Sequence, residues 1–295
     1  MDAVARWGSI RRAADRLNVT PSAINRRIAD LEAELGTALF ERLPQGMRPT
    51  AAGELLLAHI RTREADLERV RSQIEELRAL RRGAVGLAAS QAVAHRLVGA
   101  AVARFRAQSP LVQFRITVCD HAAAMAMLAA YEVDLVLVVG PPRSSALLAL
   151  TTVEQPLVAV LPADHPLAAR ATIRLRDLAG ETLVLPDRSL AGRRLLEEAL
   201  ARRGLSARPM VECNSFDLLW QIVRSERAIS IQFALGAPGG KGVAEGGLVV
   251  RPLDPVEVPA AEIVLGQLRE RSLPVAAARF AEALAADLEV VAARS

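Results

Sequence analysis

The chain has 295 residues, 52% of them apolar, which is enough for two or three domain cores and excludes an intrinsically disordered polymer. Its formal net charge of +4, from 37 basic against 33 acidic residues, is too small to identify a nucleic-acid binder by itself. No apolar run approaches the roughly 20 residues needed to cross a bilayer, and no apolar stretch near the start reads as an export signal, so the expectation is a cytoplasmic protein with no membrane partner.

Arginine supplies nearly all the positive charge, Lys241 being the only lysine, which points to a general compositional bias. The distribution says more. In residues 1–29, Arg6, Arg11, Arg12, Arg16, Arg26 and Arg27 face only Asp2 and Asp15, while residues 83–295 are nearly balanced. Cys119 and Cys213 lie far apart in a chain without signs of export, so two reduced thiols are expected, a redox-sensing disulfide being the alternative.

Residues 9–36 read as two short helices with a tight connection. Ile10, Ala13, Ala14 and Leu17 share one helical face, Asn18 suits a left-handed turn, and Thr20-Pro21 is an N-cap followed by proline at the first helical position. Ala23, Ile24, Ile28, Leu31 and Leu35 form the next apolar stripe. LFERLPQGMRPT, from Leu39 to Thr50, predicts a small β-hairpin around its Pro-Gln-Gly centre. Thr50 then caps a long helix reaching Arg82, in which Leu56, Ile60, Leu67, Val70, Ile74 and Leu77, with Arg63 filling one place, keep a heptad rhythm. So narrow a seam on a helix about 40 Å long invites a second copy of the same helix, its own domain being the other candidate cover.

Beyond Gly83, strand-like runs alternate with helical segments. Strands are predicted at 85–90, 114–118, 134–139, 157–162, 182–186, 210–213, 228–233 and 262–268. Helices are predicted near 93–108, 121–131, 174–179, 190–203, 215–226 and 274–292. Runs rich in Val, Ile and Leu with helical crossovers predict mostly parallel sheets covered on both faces.

Two helices joined by a tight turn can place the second in the major groove, with the residues near its N-terminus against base edges and phosphates. Here that end offers Thr20, Ser22, Asn25, Arg26 and Arg27. Asparagine pairs bidentately with adenine and arginine with guanine, although a helical hairpin with solvated arginines has the same pattern. The segment ARWGSIRRAADRLNVTPSAINRRIADLEAELGTALFERLPQGMRPTAAGELLL, Ala5 to Leu57, closely resembles the DNA-binding domain of LysR-type transcriptional regulators. It carries their GS-x-x-x-AA-x-x-L, turn, S/T-x-x-A-x-x-R-x-I-x-x-LE-x-x-LG-x-x-LF-x-R, short wing and T-x-AG. HPLA at 165–168 and DLAGETLVLPD at 177–187 also look familiar.

The resemblance implies a multi-domain fold: an α-helical winged helix-turn-helix at 1–53, a linker and dimerisation helix at 54–82, and an α/β two-lobed periplasmic-binding-protein-like effector domain at 84–295. Lobe one would take 84–155 and 266–295, lobe two 156–265. Carried over one at a time, the reading positions are Thr20, Pro21, Ser22, Asn25 and Arg26, with Arg27 on a phosphate and Arg48 on the wing. Arg42 either braces the wing or touches DNA. In the effector domain, strand ends and helix starts nominate Ser90, Gln91, Asp120, Gly140, Ser189 and Phe216 for a polar or anionic small molecule, because backbone N–H groups point into such a crevice. His121, Pro141, Asp187, Arg188, Asn214 and Ser215 sit at similar places. The implied partners are double-stranded DNA at a partly palindromic operator, a small-molecule effector, further copies of the chain as dimer and tetramer, and RNA polymerase. No cofactor and no metal are implied.

Members of that family carry about ten more residues before the segment matching Asp2. The expectation is therefore a truncated first helix, with Met1 an internal start and DNA binding impaired in the short form. An enzyme is the rival class, but His59, His95, His121 and His165 lack metal-ligand spacing and no G-x-S-x-G or paired-carboxylate signature is present. GAPGGKG at 236–242 has Leu235 and Gly242 where a phosphate loop needs Gly and Ser or Thr, so a loop is expected. A transport-type solute-binding protein would need an export signal and leaves residues 9–82 unexplained.

Overall fold

A computed structural model of the chain describes every residue except 45, 78–81, 141–144, 239–245 and 295. The expected last turn of the long helix, Pro141 and part of the GAPGGKG segment lie outside the described residues, as do the side chains of Leu77 and His95. The chain divides into two compact units, Met1–Arg71 and Ser72–Ser295.

The first unit opens with a six-residue helix α1 (Asp2–Trp7), then α2 (Ile10–Leu17) and α3 (Pro21–Leu35). Each boundary has a local cause. The Ser9 hydroxyl accepts from Arg12 N, Asn18 turns at φ 53°, and the Thr20 hydroxyl accepts from Ala23 N with Pro21 at the first helical position. Strands β1 (Phe40–Leu43) and β2 (Gly46–Pro49) form the hairpin, and Met47 N donates to Gly8 O at 2.8 Å, tying the wing to the end of α1. Val4, Ala13, Ala14, Ile24, Ile28, Leu39 and Phe40 make the core. Leu17 and Leu35 depart from expectation, at 53% and 49% exposed, because each is the last residue of its helix and projects past this small core. Ala23 is exposed as well.

Helix α4 (Ala51–Leu77) starts at Thr50, whose hydroxyl accepts from Gly53 N at 3.1 Å. Leu57 is buried and Leu56 and Ile60 half-buried, but the later seam residues Leu67, Val70 and Ile74 are 51%, 42% and 47% exposed.

The second unit begins with β3 (Gly83–Ala89), α5 (Gln91–Val93), a π-helical turn (Ala94–Val98) and α6 (Gly99–Gln108). Next come β4 (Val112–Val118), α7 (His121–Ala129), β5 (Leu135–Val139) and β6 (Leu147–Gln155). The other lobe holds β7 (Leu157–Pro162), 3-10 turns at Pro166–Ala169 and Leu175–Leu178, β8 (Val184–Pro186), α8 (Ala191–Arg202), β9 (Val211–Cys213) and α9 (Phe216–Glu226). It continues with β10 (Ser230–Phe233), a 3-10 turn at Ala234–Gly236 and β11 (Leu248–Pro252); β12 (Ala261–Leu268) and α10 (Val275–Arg294) return to the first lobe.

The first sheet has the order β4-β3-β5-β12-β6, the second lobe has β10-β7-β11 and β8-β9, and Leu183 bridges Ile229 between the latter two. The expectation of mostly parallel sheets is corrected to mixed ones: β3 runs parallel to β4 and β5, but β12 is antiparallel to both β5 and β6, and β7 to β10 and β11. The cause is the double crossing between lobes. One strand leads out and another leads back, so the two must run in opposite directions. Gln155 and Ala261, where the crossings occur, are register partners, so β12 pairs in the first sheet from Ala261, ahead of the expected return near 266. Strands β6 and β11 are additions to the predicted set, and the helix expected near 174–179 is only a 3-10 turn.

Candidate nucleic-acid interface and ligand crevice

Thr20, Pro21, Ser22, Arg26 and Arg27 are exposed at the start of α3, and the Thr20 and Ser22 hydroxyls lie 3.1 Å apart. In this first turn Pro21 carries no N–H and Ala23 N is taken by the Thr20 hydroxyl, which leaves the Ser22 N–H to meet a phosphate. Arg26 meets Asp30 only at 3.9 Å with both side chains solvated, an ion pair of little energetic weight, so its guanidinium stays available. Asn25 differs from its neighbours. It is half-buried, and its Oδ1 accepts from Arg42 Nη2 of β1 at 2.7 Å. Arg48 is exposed on β2 opposite Glu41.

In the second unit a narrow crevice, with a cavity volume of only about 20 Å³, opens between the lobes. Ser90, Ala92, Asp120, His121 and Val139 line it from one lobe, and Ser189, Leu190, Ala191 and Arg194 from the other. Three of the nominated residues, Ser90, Asp120 and Ser189, thus come together across it. The fold explains why: Ser90 follows β3, Asp120 follows β4 and caps α7 by accepting from Ala123 N at 2.8 Å, and Ser189 precedes α8. The Ser90 hydroxyl is buried and has no hydrogen-bond partner among the described residues. The Ser189 hydroxyl donates to Asp187 Oδ1, as does its backbone N–H at 2.8 Å.

Gln91 and Gly140 flank the crevice in sequence without lining it, Gly140 turning the chain at φ 53° after β5. Phe216 is buried in the hydrophobic core and does not line the crevice. The crevice residue that sequence reasoning passed over is Arg194. Its position in the first turn of the helix after Ser189 was the available signal. Behind this loop the buried Arg193 donates to Pro186 O at 3.1 Å, Glu197 Oε1 at 3.0 Å and Glu212 Oε1 at 2.8 Å, fastening α8 to the ends of β8 and β9. Cys119 and Cys213 are free thiols, and burial, then the charge of Asp120, pushes the Cys119 thiol above its ordinary value of 9.0. No cluster of three or more metal-ligating side chains occurs among the described residues.

Comparison with known families decides what carries these two sites. Residues 1–54 match the bacterial regulatory helix-turn-helix protein, lysR family, and residues 78–289 match the LysR substrate binding domain. The chain belongs to the LysR family. It is a DNA-binding transcriptional regulator with an effector-binding domain, and not an enzyme. It is 31% identical over 230 residues to the RuBisCO operon transcriptional regulator of Allochromatium vinosum, covering 78% of this chain and 76% of that one. It is 30% identical over 233 residues to the CbbR regulator of Rhodospirillum rubrum, with the same coverage of 78% and 76%. Among solved structures, full-length OxyR from Pseudomonas aeruginosa shares the fold at a TM-score of 0.71 and 21% identity, over 98% of this chain and 92% of that one. Full-length CbnR complexed with its target DNA does so at 0.57 and 21%, over 97% and 96%.

Proposed function

We propose that this LysR-family regulator binds a partly palindromic double-stranded operator as a homodimer joined along α4, paired again into a tetramer, and that a small anionic effector in the interlobe crevice controls its output. The observation that carries the sensing half is the convergence of Ser90, Asp120 and His121 with Ser189 and Arg194 across one crevice. Arg194 supplies the charge for an anionic group, the starts of α5, α7 and α8 supply N–H donors, and the Ser90 hydroxyl is buried without a partner. Gln91 and Gly140 shape its rim.

On DNA, Thr20, Pro21, Ser22, Asn25 and Arg26 face base edges, Arg27 a phosphate and Arg48 the adjacent groove. The exposed Leu67, Val70 and Ile74 favour a helix-to-helix dimer, since three apolar side chains in register gain by mutual cover. The protein acts in the cytoplasm beside its operator; no helix among the described residues is long and apolar enough to cross a membrane. One relative is named for control of the RuBisCO operon, and operon control through contact with RNA polymerase is the output proposed here. An effector can shift the regulator only by binding one arrangement of the lobes more tightly than the other.

The test is a thermal-shift screen of the full chain against a panel of small metabolites. A true effector raises the melting temperature in a concentration-dependent way, and Ser90→Ala and Arg194→Gln each weaken it about tenfold, equivalent to ~1.4 kcal/mol. Binding indifferent to both substitutions sinks the crevice assignment. On the DNA side, footprints unchanged by an Asn25→Ala, Arg26→Ala double substitution would refute the contact set.

A further inference from the structure

The hydrogen bond between Arg42 and Asn25 changes what the recognition helix can read. Asn25, Ile28 and Glu32 occupy one face of α3, spaced three and four residues apart, and that face looks at β1. Ile28 is buried there, and Glu32 Oε1 accepts from Leu39 N at 2.7 Å and Phe40 N at 3.2 Å, which fixes the strand against the helix. Arg42, two residues beyond Phe40 on the same side of the strand, is thereby delivered to Asn25, where Nη2 donates to Oδ1 at 2.7 Å. A guanidinium only donates, so the amide oxygen must be the atom facing it and the NH₂ group must point away.

Reading adenine bidentately needs the asparagine oxygen to accept from the base N6 while the amide nitrogen donates to N7. Arg42 already occupies one of that oxygen's two lone pairs, so an approaching adenine amino group must share the acceptor with a second donor and sit beside a positive charge. What is left for a base is a run of donors, the two N–H groups of the Asn25 amide. Guanine, with O6 and N7 both acceptors, complements that run. We infer that Arg42 and Asn25 form one reading unit that selects guanine over adenine, with Arg42 the positioning residue that sets the asparagine's polarity. This rests on the assignment of Asn25 to the DNA contact set.

The test is enrichment of a random duplex DNA library on the full-length protein, sequenced for wild type, Arg42→Ala, Asn25→Ala and the double variant, with a thermal melt of each. Wild type is expected to enrich guanine at one position of each half-site. Arg42→Ala should relax that preference about tenfold while the rest of the motif persists, and the double variant should match Asn25→Ala there. Arg42→Lys, which keeps the charge without the planar fork, should relax the same position and serves if the alanine variant melts early. Two results overturn the inference alone: adenine enriched at the Asn25-dependent position, or an Arg42→Ala variant that weakens every sequence alike with a salt slope reduced by about one, the behaviour of a phosphate contact. No enrichment by wild type removes the DNA-contact assignment together with it.

Discussion

Arg193 is 1% exposed, and its guanidinium is shared among a strand-end carbonyl and two glutamates, so each of its three nitrogens is directed at an acceptor. Arg193→Ala should destabilise the protein by about 3 kcal/mol, the low end of the range for a broken buried ion pair, because Glu197 and Glu212 keep some contact with water. Chemical denaturation of the full chain at neutral pH measures this, and a loss below ~1 kcal/mol would contradict it. Cys119 makes the opposite point about a lone group. Burial and the neighbouring Asp120 both disfavour its thiolate, so its alkylation should be slower than that of a free thiol and still be climbing with pH past 9.0. The same shift means the folded state holds that proton past the pH at which the unfolded chain loses it. The associated stability is therefore present below the unfolded value and lost as pH rises through the folded one. Rapid alkylation near pH 7 would overturn this and restore the redox reading.

At the scale of elements, α4 carries the next expectation. Val70→Glu with Ile74→Glu places carboxylates in the exposed seam and should at least halve the protein's mass in light scattering, with affinity for a palindromic site falling at least tenfold. An unchanged mass would exclude α4 as the dimer contact. The seam was legible because a heptad repeats, and the α2–α3 turn because Asn18, Thr20 and Pro21 each have a local conformational reason. β6 was not legible: LLALTTVEQ alternates imperfectly between apolar and polar residues because the strand sits at a sheet edge, with only some positions covered. LVVRP, which became β11, is short and ends in proline, as an edge strand does. Strand direction was misjudged for a related reason, since a βαβ rhythm in the sequence does not reveal which strands carry the chain between lobes.

For the whole molecule, the ligand crevice was half legible. Serines and acids at strand ends could be nominated from topology, whereas a position beside a helix start does not say which way its first side chain turns, and that of Phe216 turns into the core. Arg42 was left undecided for want of its partner, seventeen residues away in sequence. Contact between the lobes also depends on a residue with no side chain. A Cβ on Gly236 would lie 2.1 Å from Ala92 O, so Gly236→Ala must push the 3-10 turn after β10 away from α5 beside the crevice. It should lower the melting temperature by several degrees and weaken any effector found, measured by thermal shift with and without that effector. A wild-type response would show that this approach is not needed.

The paired crossing of Gln155 and Ala261 sets what such a response can look like. A single connecting strand would let the lobes swivel and bend independently. Two strands side by side, bonded rung to rung, with the Gln155 side chain accepting from Leu235 N of the second lobe at 3.0 Å, resist twist and leave one easy rotation, as two pins on one door do. A sensor with one mechanical degree of freedom reports occupancy as an angle, and every effector that fits the crevice must then speak through that same angle.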